Sequence, residues 1–267
     1  MGVMIRQLTE ADREKVLAFA GQRPAENLFI IGDIDAFGMS GDFVTLWGDF
    51  DETAALRSIL LRYRGNFIPY AQSPADLDGE AWADVIEQSG QLKQLSGLQN
   101  LVSVIAPHIQ TKTGKKQLCF YAKRDLHLPV DKKHIHKDVK MLFPEEAEQI
   151  VNLRSCCFPD YAEPTEALQK NMDKGISRTY YIERNNEPVS GVSTTAETGG
   201  AAMIIGVCTK KEYEHQGFAT SCLLKTISAL QAERKQPCLF YDNPDAGRIY
   251  EKAGFVPIDR WMMIHYA

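Results

Sequence analysis

The clearest chemical signal lies between Val207 and Thr220, which reads VCTKKEYEHQGFAT. A strand ends near Thr209, a tight loop follows, and a helix opens at about Gly217 and runs to Arg234. This order turns the free backbone N–H groups of a helix's first turn toward an anion, and the helix dipole favours negative charge there. Small residues at Gly217 and Ala219 let a pyrophosphate approach the backbone closely. Taken alone, a glycine before a helix is equally the mark of an ordinary loop.

A second run, Leu239 to Phe255, reads LFYDNPDAGRIYEKAGF. Together the two runs resemble the GCN5-related N-acetyltransferase (GNAT) superfamily. The family's phosphate loop reads Gln/Arg-x-x-Gly-x-Gly/Ala, and Gly217 and Ala219 match it. Its later motif reads Asn-x-x-Ala-x-x-x-Tyr-x-x-x-Gly-Phe, and Asn243, Ala246, Tyr250, Gly254 and Phe255 match at every spacing. Glu214 departs from the pattern by standing where Gln or Arg is usual. A carboxylate beside a pyrophosphate in solvent costs only about 1 kcal/mol at 4 Å, and Lys210, Lys211 and His215 are placed to offset it.

The resemblance covers residues 138–267 and implies acetyl-CoA as co-substrate, with no metal. It implies a V-shaped opening between the strands Ala201–Thr209 and Leu239–Asp242. Val207, Cys208 and Thr209 would bond the pantetheine arm like an added strand, and an N–H near Val207 would face the thioester carbonyl. His215, Gln216, Gly217, Phe218, Ala219 and Thr220 would form the phosphate cradle. Asn243 would bond the pantetheine or the loop, an Asn-Pro turn at a strand end being the alternative. Tyr250 would be the catalytic residue, giving a proton to the departing thiolate; a buried core tyrosine is the alternative. The general base stays open among Glu163, Glu183, Glu197, Asp242 and a water chain. Phe158 to Ser177, with Pro159, Tyr161 and Pro164, is expected beside the acceptor pocket.

Other reactive side chains read as structural. No His/Asp arrangement accompanies Cys156 and Cys157, and this chemistry needs no covalent enzyme intermediate. His134 and His136 lack further metal ligands in sequence, and His265 reads as a core or edge histidine.

The elements that must hold these residues fall into two similar halves. Both begin strand–helix: Met4 to Leu8 then Ala11 to Ala20, and Val139 to Leu142 then Glu145 to Cys156. In the second half Thr179 to Glu183, Glu187 to Thr195 and Ala201 to Thr209 read as three antiparallel strands. They are separated by turns at Arg184-Asn185-Asn186 and Glu197-Thr198-Gly199-Gly200. In the first half, turns are expected at Gly48-Asp49 and Arg64-Gly65-Asn66, and Leu98 to Ile109 reads as a helix. Lys123 to Lys137, rich in Lys, Arg and His, reads as an exposed connection. The fold class is therefore α+β (mixed α/β), as two GNAT-like halves, each a mostly antiparallel sheet flanked by helices. The expected domains are a degenerate GNAT-like half (1–122), a basic linker (123–137) and a catalytic half (138–267). The only phosphate-loop candidate in the first half, Arg62 to Phe67, has Phe67 where a small residue is required and Pro69 where a helix should run, so no second CoA site is expected.

Composition narrows the function. The chain has 267 residues, 44% hydrophobic and 24% charged, with a net charge of −5. That balance disfavours a phosphate-neutralising nucleic-acid binder. No apolar stretch reaches the roughly 20 residues of a membrane helix. The six cysteines show no CxxC pair or disulfide-scaffold spacing, so a reducing cytoplasm is expected. The expected partner is a small-molecule or peptide amine acceptor, with no nucleic acid and no membrane, and a homodimer is left open. The function expected is transfer of acetyl from acetyl-CoA to a primary amine. A non-catalytic acyl-CoA-binding module and an aminoacyl transferase are the alternatives.

Overall fold

The computed structural model describes residues 4–39, 41–158 and 163–267, so Pro159 and Tyr161 lie outside the described residues. The elements of the first part are β1 (Met4–Gln7), α1 (Arg13–Ala20), α2 (Leu28–Phe37), β2 (Val44–Phe50), β3 (Leu56–Tyr63), β4 (Asn66–Ala71), α3 (Gly79–Gln88), β5 (Gln94–Leu98), α4 (Gln99–Ile105) and β6 (Thr113–Arg124). Then follow β7 (Lys140–Met141), α5 (Ala147–Cys157), α6 (Thr165–Asp173), β8 (Thr179–Arg184), β9 (Glu187–Thr195), β10 (Ala201–Thr209), α7 (Phe218–Ala232), β11 (Gln236–Tyr241), α8 (Pro244–Lys252) and β12 (Phe255–Tyr266). The chain divides into two compact units, 1–121 with 257–267, and 122–256.

The two units repeat one topology. In the first, β2, β3 and β4 form an antiparallel meander, and β5, reached through α3, lies parallel to β4. In the second, β8, β9 and β10 form the meander, and β11, reached through α7, lies parallel to β10. Tight turns build both meanders. Arg64 and Gly65 take φ of 49° and 89°, and Asn185 and Asn186 take 53° and 64°, the paired left-handed residues that two-residue hairpins need.

Several expectations change. Gly48-Asp49 is not a turn but the middle of β2. A Cβ at Gly48 would lie 2.8 Å from Leu56 and 3.0 Å from Leu8, so the glycine serves close packing. Asp49 is buried and pairs with Arg57 at 2.6 Å. Leu98 ends a strand rather than opening a helix, because β5 is held by β12 through Trp261↔Leu98 to His265↔Gln94. For the same reason 257–267 belong to the first unit and not, as expected, to the second. The linker is exposed over most of its length, as expected, yet it is also anchored. Arg124 is buried and donates from Nε to the Ala253 carbonyl (2.7 Å) and from Nη2 to that of Pro129 (2.9 Å), and Val130 and Ile135 pack on the core of the second unit.

The supposed first-half phosphate loop, Arg62 to Phe67, is the β3–β4 hairpin. The topological counterpart of the loop before α7 is instead Gln72 to Asp78. There Asp78 accepts the Ala81 N–H at 3.0 Å, so the protein's own carboxylate fills the anion position at that helix end.

In the second unit, alternation along the strands sends successive residues to opposite faces. Ile182, Val192 and Ile204 meet Leu223, Ile227 and Leu230 of α7 on one face. Tyr181 and Cys208 meet Ile150 and Leu153 of α5 and Leu168 of α6 on the other. Each such aliphatic side chain, fully buried, contributes about 1.5–3 kcal/mol. The sheet between the helices is thereby fixed, and β10 with it.

Candidate active site

The loop before α7 is built from left-handed residues. His215 has φ 62° and Gly217, the N-cap of α7, has φ 77°. A Cβ at Gly217 would meet nothing within 4 Å, so its glycine is explained by backbone conformation and not by crowding. The first intrahelical bond of α7 runs from the Ser221 N–H to the Gly217 carbonyl at 2.9 Å. The amides of Phe218, Ala219 and Thr220 precede it and have no partner inside the helix.

β10 supplies the second wall. Its parallel pairing with β11 ends at Ile204↔Leu239, beyond which no register joins the two strands. On its other side β10 pairs with β9, but Gly206 and Val207 together oppose the single residue Val192, a β-bulge. Gly206 has φ 60°, and a Cβ there would stand 2.7 Å from Nε of the buried Arg154, whose Nη1 pairs with Glu163 at 2.6 Å. After the bulge the strand is pinned again by Ser190, whose hydroxyl donates to the Cys208 carbonyl at 2.9 Å.

These walls enclose a cavity of about 510 Å³ lying wholly within the second unit. Val207, Cys208 and Thr209 line it from β10, and His215, Gly217, Phe218, Ala219 and Thr220 from the loop and α7. Asn243 and Tyr250 line it from α8. Of the residues expected from sequence, Gln216 does not line it and is exposed. Glu214 does line it, yet stays largely in solvent. Lys210 is turned to Glu187 at 3.0 Å, so it is not held for the offset expected of it.

Tyr250 is buried and stacks edge-on with Tyr241 (5.6 Å) and Phe255 (6.1 Å). Burial, reinforced by the neighbouring Cys208 thiol, pushes its phenol up to about 12. The hydroxyl therefore keeps its proton throughout the neutral range. Asn243 is the N-cap of α8, its Oδ1 accepting the Asp245 N–H at 2.9 Å, with Pro244 in the first turn. The Asn-Pro reading is thus realised at the same residue that lines the cavity.

None of the four carboxylates considered as base lines the cavity among the described residues. Glu163 is held by Arg154 and Glu183 by Lys140. Glu197 is buried in a network with Arg178 (2.6 Å) and Lys235 (2.8 Å). Asp242 is exposed and lies outside the cavity wall. His134 pairs with Asp131 at 2.9 Å, and His136 lies 3.6 Å from Asp138.

Sequence reasoning missed Cys157, set aside as structural. It closes α5 and lines the cavity, whereas Cys156 is exposed. A legible signal existed, since Cys157 lies two helical turns after Ile150 and shares its core-facing stripe. The neighbouring Cys208 thiol holds the Cys157 pKa below the ordinary thiol value, while Cys157 and burial push that of Cys208 up.

A model of the GNAT acetyltransferase family matches residues 160–264, a span containing the bulge, the loop, Asn243 and Tyr250. Over residues 160–264 the chain therefore resembles the GNAT acetyltransferase family. Solved structures show the same fold over the full length. A GCN5-related N-acetyltransferase from Sphaerobacter thermophilus superposes with a TM-score of 0.64 at 13% identity, covering 98% of this chain and 94% of that one. A tandem GNAT protein from the clavulanic acid biosynthesis pathway gives 0.59 at 13% identity, covering 98% of both chains. A GCN5-related N-acetyltransferase-like protein from Streptococcus suis gives 0.56 at 15% identity, covering 97% of this chain and all (100%) of that one. At such identities these likenesses establish the fold alone, and the tandem relative matches the two-unit GNAT architecture. No curated protein matches the sequence significantly. No helix among the described residues is long and apolar enough to cross a membrane.

Proposed function

We propose that the second unit transfers an acetyl group from acetyl-CoA to a primary amine, on a small molecule or a peptide, by direct attack of the amine on the thioester. The observation that carries this reading is a single cavity walled by the bulged, splayed edge of β10, the left-handed loop before α7, and Tyr250. The donor set fits an acyl-CoA. The helix-end amides at Phe218 to Thr220 suit a pyrophosphate, and the unpaired edge of β10 suits an extended amide-bearing arm. When bound, acetyl-CoA supplies an activated acyl group on a thiol leaving group.

The chain's own residues then divide the work. Beyond Ile204 the edge of β10 leaves its pairing with β11, and a main-chain N–H near Val207 would polarise the thioester carbonyl and steady the oxyanion. Tyr250 would donate a hydrogen bond to the leaving sulfur. Full transfer from a phenol near 12 to a thiolate of ordinary pKa, about 8.5, would be uphill by roughly 5 kcal/mol. Tyr250 would therefore act on the sulfur first as a hydrogen-bond donor; once its proton has passed to the thiolate, the proton released by the amine would travel through water to restore the phenol. A reducing, cytoplasmic setting is in keeping with the free cysteines, and the negative net charge speaks against a charged-tRNA donor.

The test combines titration with turnover. Calorimetry should show acetyl-CoA binding, and an amine panel should reveal an acetylated product. Tyr250→Phe should lower kcat roughly 10- to 1,000-fold while acetyl-CoA affinity holds. Binding without acetylation of any amine would leave a non-catalytic acyl-CoA module, and absence of binding would end the reading altogether.

A further inference from the structure

Two thiols meet at the wall of the cavity. Cys157 ends α5, and Cys208 stands on β10 two positions beyond Gly206. Both line the cavity, Cys157 packs on the apolar cluster that contains Cys208, and each thiol shifts the other's pKa. Tyr250 feels the same Cys208 thiol. The other four cysteines do not line this cavity: Cys156 is exposed, Cys222 and Cys238 are buried, and Cys119 is in the other unit.

We propose that Cys157 and Cys208 form an oxidation site, a dithiol that a peroxide converts into a disulfide across the end of the cavity. The two residues have unequal tasks. Cys157 is half-exposed, and the Cys208 S–H stabilises its thiolate; Lys210 adds to this, while burial and the charges of Glu214 and Glu212 oppose it. Cys208 is buried and keeps its proton, with Arg154 facing it from α5. Cys157 is therefore the attacking thiol and Cys208 the resolving one. The Cys157 sulfur attacks one peroxide oxygen and breaks the O–O bond. Cys157 becomes a sulfenic acid, and the other oxygen leaves as water. The Cys208 sulfur then attacks the sulfenic sulfur, the S–S bond forms, and the hydroxyl departs with the Cys208 proton as a second water. The thiol pair gives up two electrons and the peroxide takes them.

A disulfide here ties the last turn of α5 to β10 beside Val207 and Thr209, where the strand edge faces the cavity. Closure against acetyl-CoA is the consequence, and that part rests on the function proposed above. Hydrogen peroxide is the probe. The full chain is oxidised, quenched with catalase, alkylated and mapped by mass spectrometry without reduction, and acetyl-CoA is titrated before and after. A Cys157–Cys208 cross-link is expected in the wild type and in Cys156→Ser, reversed by dithiothreitol, and absent from Cys157→Ser. Acetyl-CoA affinity should fall by about tenfold or more on oxidation of the wild type and be the same before and after peroxide in Cys157→Ser. A cross-link through Cys156, over-oxidation of Cys157 without a cross-link, or inert thiols would each overturn the site. A cross-link that leaves affinity unchanged would overturn the closure. If the reduced chain binds no acetyl-CoA, the functional reading fails, and the wild-type map still decides the disulfide.

Discussion

Replacing Gly206 by alanine tests how the bulge in β10 is held. The residue has φ 60°, a conformation that costs an L-residue about 1–2 kcal/mol. The new methyl would stand 2.7 Å from Nε and 3.2 Å from Cζ of Arg154. That guanidinium has nowhere simple to go, because it is buried and paired with Glu163 at 2.6 Å. Disturbing such a buried pair costs up to about 3–5 kcal/mol when a partner is lost, and a shift that keeps the pair costs less. The sum for Gly206→Ala is about 2–5 kcal/mol. At about 3 °C per kcal/mol for a unit of this size, Tm should fall by roughly 6–15 °C. Urea unfolding followed by tryptophan fluorescence and far-UV dichroism would measure the loss. Acetyl-CoA titration of the folded variant should show weaker binding, because the edge at Val207 is re-aimed. A loss below about 0.5 kcal/mol would refute the idea that glycine conformation and Arg154 together fix the bulge.

Three further outcomes follow from other parts of the molecule. Burial pushes the Asp33 carboxyl up to about 7, so the folded form binds the proton more tightly than the unfolded one. Stability is then greatest below the ordinary carboxylate pKa and declines until the pH passes about 7. Asp33→Asn should be close to neutral at pH ~4 and stabilising by about 1–3 kcal/mol at pH ~8, and equal effects at both pH values in urea melts would contradict this. For Glu197, burial pushes the pKa up, but hydrogen bonds from Arg178, Lys235 and Thr194 outweigh it and hold it low. Its contribution is therefore present at neutral pH and fades below about pH 4. Glu197→Gln should cost about 2–4 kcal/mol at pH ~7 and progressively less as acid protonates the carboxyl, and a pH-independent cost would be inconsistent with the network. Ending the chain at Val256 should expose Gln94–Leu98 to hydrogen exchange while Thr179–Arg184 stays protected, since Trp261–His265 pairs with the former. Unchanged protection in both strands would count against assigning 257–267 to the first unit.

Much of the second unit was legible because its signals are local. β9 and β10 fall on the residues that alternation indicated, and α7 starts one residue after Gly217. Asparagines at 185 and 186 tolerate left-handed φ, so the hairpin is written in residue type. In the first unit the same rules failed where packing overrode propensity. Gly48 and Asp49 look like a turn, yet Leu8, Leu56 and Arg57 make them strand. Arg62 to Phe67 resembles a loop before a helix only until the pairing of β3 with β4 is known.

By itself the sequence determined the glycine-bearing loop before α7, the order of strands around it, and the spacing that sets Asn243 at the cap and Tyr250 in the body of one helix. These depend on backbone freedom and on periodicities spanning a few residues, which the chain states directly. Only the tertiary structure decided that Cys157 faces the cavity while Gln216 does not, that Lys210 turns to Glu187, and that the last strand serves the first unit. Those outcomes rest on contacts between residues far apart in the chain, whose register is chosen by burial and by pairing of buried charge, quantities that no single stretch of residues contains.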